Sequence, residues 1–116
     1  MNDAVIGVVG PCAAGKTSLV NRLLDNNINA KHIAQEHSYV PRMWKKITNP
    51  DLLIYLDVSF EISMKRKKLN WSSEEFHEQL KRLDDAHNHA DLIIHTDTLS
   101  PDEVFCIVIE FINQAL

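Results

Sequence analysis

The feature that most constrains the fold of this chain is an apolar run that leads directly into a loop of small residues. Residues 4–9 read AVIGVV and contain no polar side chain. A continuous apolar run of this length is typical of a strand buried on both faces. The loop GPCAAGKT follows at 10–17, and an apolar-patterned segment, SLVNRLL, comes directly after it. This order of strand, loop and helix predicts an α/β fold.

The first helix is predicted from Thr17 to about Asp25. Asn26 and Asn27 suit its C-terminal end, because asparagine tolerates left-handed backbone angles. Apolar side chains recur on one face of this segment, which is expected to be its inner face: Leu19, Val20, Leu23 and Leu24.

Further strands and helices alternate along the rest of the chain. Strands are expected at 29–34, 52–58 and 91–97, and helices at 41–47, at 60–68 after a Ser59 cap, at 72–89 and after Ser100. Ser72 with Glu75, and Ser100 with Glu103, have the spacing of capping boxes. The inward side of the last two helices is expected to carry Phe76, Leu80 and Leu83, and Val104, Phe105, Ile107, Val108, Phe111 and Ile112.

This alternation predicts a parallel sheet with helices on both faces. We therefore expect a single α/β domain over residues 1–116, with a three-layer α/β/α arrangement and about four strands. A ligand would bind at the carboxyl ends of the strands, where the strand order reverses and opens a crevice.

Composition excludes several classes of partner. The net charge of −4 argues against broad nucleic-acid binding, which depends on neutralising phosphates. No apolar run approaches the length of a membrane span, and the start MNDAVIGVVG lacks the pattern of a signal peptide. Cys12 and Cys106 do not resemble a disulfide framework. We expect a cytoplasmic protein without nucleic-acid or membrane partners.

The loop matches the phosphate-binding pattern Gly10-x₄-Gly15-Lys16-Thr17 in full. Glycines let the backbone curl so that its N–H groups point at phosphate oxygens, and the following helix adds its positive N-terminal end. Lys16 would reach the β- and γ-phosphates, and the Thr17 hydroxyl would hold Mg²⁺. The predicted cofactors are ATP and Mg²⁺, with the nucleotide bound by Gly10, Pro11, Cys12, Ala13, Ala14, Gly15, Lys16, Thr17 and Ser18.

Three other site types fit less well. The stretch GVVGPCAAG lacks the G-x-G-x-x-G of dinucleotide folds, and TNPD at 48–51 is not the N-K-x-D with which GTPases bind guanine. No Cys/His cluster has the spacing of a zinc site. His87 and His89 could bind a metal, but histidines late on a helix more often have no such role.

Beyond the loop, the chain resembles the P-loop kinases of small molecules and nucleotides, the shikimate, gluconate, adenylate and thymidylate kinase group. Three stretches carry this resemblance, which extends over most of the chain: PDLLIYLDVSFEISMKR at 50–66, RLDDAHNHADLIIHTD at 82–97 and TDTLSPDEV at 96–104. Only the phosphate loop is specific by itself.

The resemblance implies roles for residues outside the loop. Arg66 would stack on adenine or reach the transferred phosphate from a short lid at 67–73, and Arg82 would point into the site at a substrate phosphate or carboxylate. The loop at 96–104, with Ser100, would border the adenine ring. Alternatively, the basic run at 65–68 is a solvated helix end that complements the helix dipole.

The chain also departs from that group. Only residues 26–51 lie between the first helix and the IYLD strand, so one strand and most of the substrate region are missing. No Asp-Gly segment follows the second strand. Glu36 is the first candidate for the missing acid, as a Mg²⁺ ligand or a proton acceptor, and Asp57 is the second. Alternatively, Glu36 is a surface residue and Asp57 helps to start the next helix.

The segment at 35–47 occupies the place of the substrate region. Met43 and Trp44 could line a pocket, and Arg42 could meet an anionic substrate. Trp44 could instead cover core left bare by the missing strand, which is the interpretation we favour.

Two function classes follow. One is an ATP-dependent phosphotransferase that acts on an unidentified small acceptor through Lys16, Glu36, Arg66 and Arg82, with Mg²⁺ held by Thr17 and Glu36. The other is a nucleotide-binding regulatory or interaction module without phosphotransfer, or a slow ATPase that needs a partner. The intact loop favours the kinase-like interpretation, and an exposed sheet edge would allow a homodimer.

Overall fold

The computed structural model describes residues 4–67 and 72–116, so most of the predicted lid at 67–73 lies outside the described residues. The strands are β1 (Ile6–Val9), β2 (Ala30–His32), β3 (Leu52–Asp57) and β4 (Leu92–His95). The helices are α1 (Lys16–Asp25), α2 (Phe60–Lys67), α3 (Ser73–His89) and α4 (Pro101–Ala115). A 3₁₀ turn at Gln35–His37 and a π-helical turn at Trp44–Thr48 connect β2 to β3.

The four strands form one parallel sheet in the order β2-β1-β3-β4, which confirms the predicted parallel sheet of about four strands. Ile6 is paired with Ala30 on one side and with Leu52 on the other. The chain leaves β1 toward β2 and leaves β3 toward β4, in opposite directions. The strand order therefore reverses between β1 and β3, and the loop at 10–17 starts at this point.

Both faces of the central strands are buried, because alternate residues of β1 and β3 enter different core clusters. Ile6 and Val8 pack with apolar residues of α1 and α4. Val9, on the opposite face, packs with Tyr55, Leu83 of α3 and other apolar residues. This two-sided burial explains why both strands are continuously apolar in the sequence.

The helices bury narrower stripes than the sequence predicts. Leu24, expected on the inner face of α1, is 49% exposed, and Ile107, expected on the inner face of α4, is 38% exposed. Buried residues of α1, α3 and α4 recur at spacings of three and four and face the sheet, so an apolar residue off this face is exposed to water. The predicted buried positions are confirmed at Leu19, Val20, Leu23, Phe76, Leu83, Val104, Val108 and Ile112; Leu80, Phe105 and Phe111 are partly buried.

Both predicted capping boxes are present. Ser72 Oγ accepts from the N–H of Glu75 at 3.1 Å, and the Glu75 carboxylate accepts from the N–H of Ser72 at 3.2 Å. Ser100 and Glu103 repeat the arrangement at the start of α4. These reciprocal bonds satisfy N–H groups that have no partner inside the helix, which fixes where α3 and α4 begin.

The helix predicted at 41–47 is wrong; the structure has a single π-helical turn that ends at Asn49, whose φ is 45°. Trp44 in this turn is 7% exposed and packs in the core cluster of Val9 and Tyr55. The side-chain oxygen of Gln35 accepts from the Trp44 N–H at 2.9 Å and fixes its position. The core interpretation of Trp44 is thereby confirmed.

Arg42 is half exposed and forms an ion pair with Asp85. Its Nε donates to Asp85 Oδ1 at 3.3 Å, and the same carboxylate accepts from the Trp44 indole at 2.9 Å.

Among the helices described, none combines the length and the apolar character required to cross a bilayer.

Candidate functional site

The loop at 10–15 turns sharply between β1 and α1 and depends on glycine at two positions. Gly10 has a φ of +153°, and a Cβ there would lie 2.1 Å from the carbonyl oxygen of Leu56. Gly15, the residue before α1, has a φ of +97° and open space around it. Ala13 between them also has a positive φ, of 71°. The loop thus has the strained, left-handed backbone that concave anion-binding loops use.

Lys16 lies inside this loop and is only 6% exposed. Its ammonium donates to the carbonyl oxygens of Gly10 at 2.5 Å and Pro11 at 3.1 Å, and to Glu36 Oε2 at 2.6 Å. A lysine ammonium has three hydrogens, so each of them has an acceptor. The charge is therefore held at the centre of the loop.

Glu36 is buried beside the loop, so its interpretation as a surface residue is wrong. Its side chain is 4% exposed and forms an ion pair with Lys16 through Oε2. The other oxygen, Oε1, is buried and has no hydrogen-bond partner. The turn that carries Glu36 directly follows β2, and β2 pairs with β1, so the sheet places this carboxylate next to the loop.

Two cavities flank the loop, and four residues line both of them. The first measures about 190 Å³ and is lined by Ala13, Ala14, Gly15, Ser18, Leu19, Arg66, Thr96, Leu99, Pro101 and Val104. The second measures about 360 Å³ and is lined by residues 12–18 together with His32, Ala34, Glu36, His37 and Lys67. Thr17, a predicted metal ligand, faces only the second cavity, whereas Ser18 faces both.

Arg66 joins the loop to Thr96, the residue that follows β4. One of its guanidinium nitrogens, Nη1, donates to the carbonyl oxygen of Ala13 at 3.1 Å and to Thr96 Oγ1 at 3.0 Å, and the other, Nη2, donates to the carbonyl oxygen of Thr96 at 2.5 Å. Arg66 therefore lines the first cavity, although it is exposed, as expected of a solvated helix end. Its hydrogen bonds hold α2 against the loop.

Ser100 lies beside the first cavity and not in its lining. Its hydroxyl accepts the N–H of Glu103 as the N-cap of α4. Its two neighbours, Leu99 and Pro101, line the cavity instead. The segment lines this cavity with apolar side chains rather than with the Ser100 hydroxyl.

Arg82 faces a different cavity, of about 470 Å³, whose lining is mostly acidic and polar and shares only His37 with the second loop cavity. Its Nη1 donates to the carbonyl oxygen of Glu36 at 3.3 Å, and its guanidinium stacks on the Tyr39 ring at 4.4 Å. Arg82 therefore contacts the backbone of Glu36 but lines neither loop cavity.

Asp57 also lies away from the loop cavities. Its Oδ2 lies 2.9 Å from Nδ1 of His95, and its carbonyl oxygen accepts from the N–H and the hydroxyl of Thr96. Of the two acids considered from the sequence, Glu36 is the one that lies at the loop.

His32 adds a neutral polar group to the second cavity. Burial lowers its pKa below the ordinary value, and the nearby positive charge of Lys16 lowers it further, whereas Glu36 acts in the opposite direction. At neutral pH its imidazole is therefore uncharged and can both donate and accept a hydrogen bond.

The structure brings together a Cys–Glu–His group that the sequence spacing did not reveal. Cys12 Sγ lies 3.9 Å from His37 Nε2, and one potential ligand atom from each of Cys12, Glu36 and His37 lies within 4.8 Å of the others. Residues 12 and 37 follow neighbouring parallel strands, and no local spacing pattern encodes that proximity. Predicting this contact requires knowing that β1 and β2 are neighbours in the sheet.

Neither a protein-family model nor a curated protein sequence matches this chain. The likeness to small-molecule and nucleotide kinases therefore rests on the residues quoted above and stays a prediction.

Proposed function

We propose that the chain binds a nucleoside triphosphate, ATP in the first place, together with Mg²⁺, and acts as a minimal small-molecule kinase with a three-layer P-loop fold. One observation carries the proposal: the loop at 10–17 surrounds a buried lysine ammonium at the carboxyl end of β1 and the start of α1. A positive charge and the N-terminal end of a helix favour bound phosphate at the same place.

The donors around the loop suit a polyphosphate. Phosphate oxygens would take the place of loop carbonyl oxygens as acceptors for Lys16. The first cavity suits a base, because the apolar side chains of Leu99, Pro101 and Val104 line it beside the Arg66 guanidinium. A planar guanidinium can stack on an aromatic ring or bind phosphate in a bidentate manner.

The second cavity has oxygen groups that fit Mg²⁺. The Thr17 hydroxyl lines it, and the unpartnered Oε1 of Glu36 lacks the hydrogen bond that a buried carboxylate oxygen requires. Mg²⁺ prefers such oxygen ligands and keeps several waters. The bound ion would supply neutralisation of the phosphate charge during transfer.

Glu36 is also the group that would handle a proton. The acceptor would lie in the second cavity, between Glu36 and the neutral imidazole of His32. Oε1 would take the proton from the attacking hydroxyl, or hold a water of the ion, while Lys16 keeps Oε2 in place. Positioning and charge neutralisation would account for most of the rate enhancement.

A nucleotide-binding module without phosphotransfer is the second candidate. The burial of Trp44 favours it, because the segment between β2 and β3 contributes core rather than an acceptor pocket there. The two candidates agree on the nucleotide and differ on turnover.

Calorimetric titration of ATP and of GTP, with and without Mg²⁺, tests the nucleotide site. Thr17→Val should remove the Mg²⁺-dependent part of the affinity, and Thr48→Val, at a threonine that lines neither cavity, should not. Absence of ATP binding to the unchanged protein would overturn both candidates.

Turnover separates the two candidates. With a panel of acceptors, Glu36→Gln should abolish ATP-dependent phosphorylation and leave the Mg²⁺-independent part of ATP binding intact. Binding without any turnover by the unchanged protein would favour the module.

A further inference from the structure

We propose that Cys12, Glu36 and His37 form a binding site for a borderline transition-metal ion of the Zn²⁺ class. This site adjoins the phosphate loop and differs from the proposed Mg²⁺–nucleotide site in its sulfur and nitrogen ligands. Within residues 4–67 and 72–116 this is the only group of three or more His, Cys, Asp or Glu side chains whose ligand atoms lie close enough to hold one ion.

The distances are near those of a zinc centre. Zn–S bonds of about 2.3 Å and Zn–N or Zn–O bonds of about 2.0–2.2 Å, at tetrahedral angles, separate the ligand atoms by roughly 3.4–3.6 Å. Cys12 Sγ lies 3.9 Å from His37 Nε2, and this nitrogen lies 3.9 Å from Glu36 Oε2. All three ligand atoms lie within 4.8 Å of one another, so the side chains would have to move closer together to bind one ion.

Glu36 supplies an independent sign of a ligand. Its side chain is 4% exposed, and its oxygen Oε1 is buried without a hydrogen-bond partner. Leaving a carboxylate oxygen in this condition is costly unless a cation or donor satisfies it. The oxygen 3.9 Å from His37 Nε2 is Oε2, which also accepts from Lys16 at 2.6 Å. The carboxylate would therefore have to rotate for Oε1 to ligate the ion while Lys16 stays bonded to Oε2.

Gln79 positions the sulfur. This residue is 7% exposed and uses both ends of its amide on Cys12: Oε1 accepts from the Cys12 N–H at 3.0 Å, and Nε2 donates to Sγ at 3.2 Å. These two hydrogen bonds fix the position of the sulfur, which would bind a metal ion as the thiolate. On binding, the thiol would release its proton to solvent.

The ligand types select the metal. Thiolate and imidazole favour Zn²⁺ and related ions over Mg²⁺ and Ca²⁺, which prefer oxygen alone. Three protein ligands leave a fourth position for water or another ligand, as in catalytic rather than structural zinc sites.

The test uses the metal alone, with the reduced protein and no nucleotide. Titration with Cd²⁺ should give one ion per chain and a sulfur-to-metal charge-transfer absorption, and Zn²⁺ should displace the Cd²⁺. Cys12→Ser should abolish the absorption, and Cys106→Ser, at the other cysteine, should retain it.

His37→Ala provides a second arm, with His77→Ala as its matched control at another exposed histidine. The His37 side chain is 61% exposed, so its removal should leave the fold intact, and circular dichroism checks this. Loss of a direct ligand should weaken Zn²⁺ binding by at least the roughly 10–100-fold that outer-shell changes cause. Absorption that survives Cys12→Ser, or equal affinities of the two histidine variants, would overturn the proposal, whether or not the protein binds nucleotide.

Discussion

The two glycines of the loop differ in what an added methyl group would meet. At Gly10 a Cβ would lie 2.1 Å from a backbone oxygen of Leu56, whereas at Gly15 nothing lies within 4 Å, although the φ of both is positive. Gly15→Ala should therefore cost only the backbone strain, about 1–2 kcal/mol. Gly10→Ala should cost more than about 3 kcal/mol, since β1 or β3 must also move.

Urea unfolding of the two alanine variants measures this difference, and each variant is the control of the other. Equal losses of unfolding free energy would contradict the close approach of Gly10 to β3.

Because Lys16 and Glu36 form a buried ion pair, the effects of mutating them on the free energy of unfolding should be strongly coupled. Both side chains are almost fully buried, and the ammonium lies 2.6 Å from the carboxylate. Lys16→Met leaves the carboxylate without its counter-charge and should cost about 3–5 kcal/mol, whereas Lys16→Met with Glu36→Gln removes both charges and should cost less than the single change.

A double-mutant cycle, measured by chemical denaturation, gives the coupling free energy, which should be at least about 1 kcal/mol. Additive single effects would show that the pair is not formed in solution. The result also decides whether loss of nucleotide binding in a lysine variant reflects the site or the fold.

At the scale of the elements, local patterns predicted most of the structure. The continuous apolar runs gave β1 and β3 to within two residues at each end, and the capping boxes gave the starts of α3 and α4, because both signals depend on neighbouring residues. The helix at 41–47 failed for the opposite reason. Its local pattern was overridden by the tertiary burial of Trp44 and by the hydrogen bond from its N–H to Gln35.

Asp85 links α3 to the π-helical turn, because its carboxylate accepts a hydrogen bond from the Trp44 indole. Burial raises the pKa of its carboxyl, but the hydrogen bond from the Trp44 indole and the charge of Arg42 lower it, and the net pKa lies below the ordinary value. A depressed pKa in the folded state means that the ionised group stabilises the protein above the unfolded pKa of about 3.9, and that this contribution is lost as the pH falls through the folded pKa.

Asp85→Asn should therefore lower the free energy of unfolding at about pH 7 by about 1 kcal/mol, a value discounted for partial solvent exposure. The difference from the unchanged protein should shrink as the pH is lowered toward about 3. Denaturation curves at several pH values measure it, with Asp84→Asn at the adjacent exposed residue as control. A loss that stays constant with pH would show that Asp85 acts through shape and not through charge.

At the scale of the whole molecule, the strand order determines which loops meet. Because β2 pairs directly with β1, the turn after β2 delivers Glu36 and His37 to the loop that starts after β1. The sequence identified the loop, since its motif is local, and named Glu36 from its place at the end of a strand. It could not predict the contact between Cys12 and His37, because that contact depends on long-range pairing.

The same juxtaposition couples the two proposed ligands. Glu36 is shared by the proposed Mg²⁺–nucleotide site and the proposed Zn²⁺ site, and Cys12 belongs to the loop itself. Bound Zn²⁺ should therefore weaken ATP binding by about 5–150-fold, the usual range of coupling between sites, and ATP should weaken Zn²⁺ binding by the same factor, as thermodynamic linkage requires.

Calorimetry with ATP at zero and at saturating Zn²⁺ measures this coupling. ATP also chelates Zn²⁺ in solution, so the His37→Ala variant, titrated in the same mixtures, supplies the correction: chelation acts equally on both proteins, whereas coupling through the site acts only on the unchanged one. If Zn²⁺ lowers the apparent ATP affinity of both proteins equally, the ion acts in solution and the two sites are independent. A larger effect on the unchanged protein means that Zn²⁺ and Mg²⁺–ATP compete for the carboxylate of Glu36, which the strand order places beside the loop.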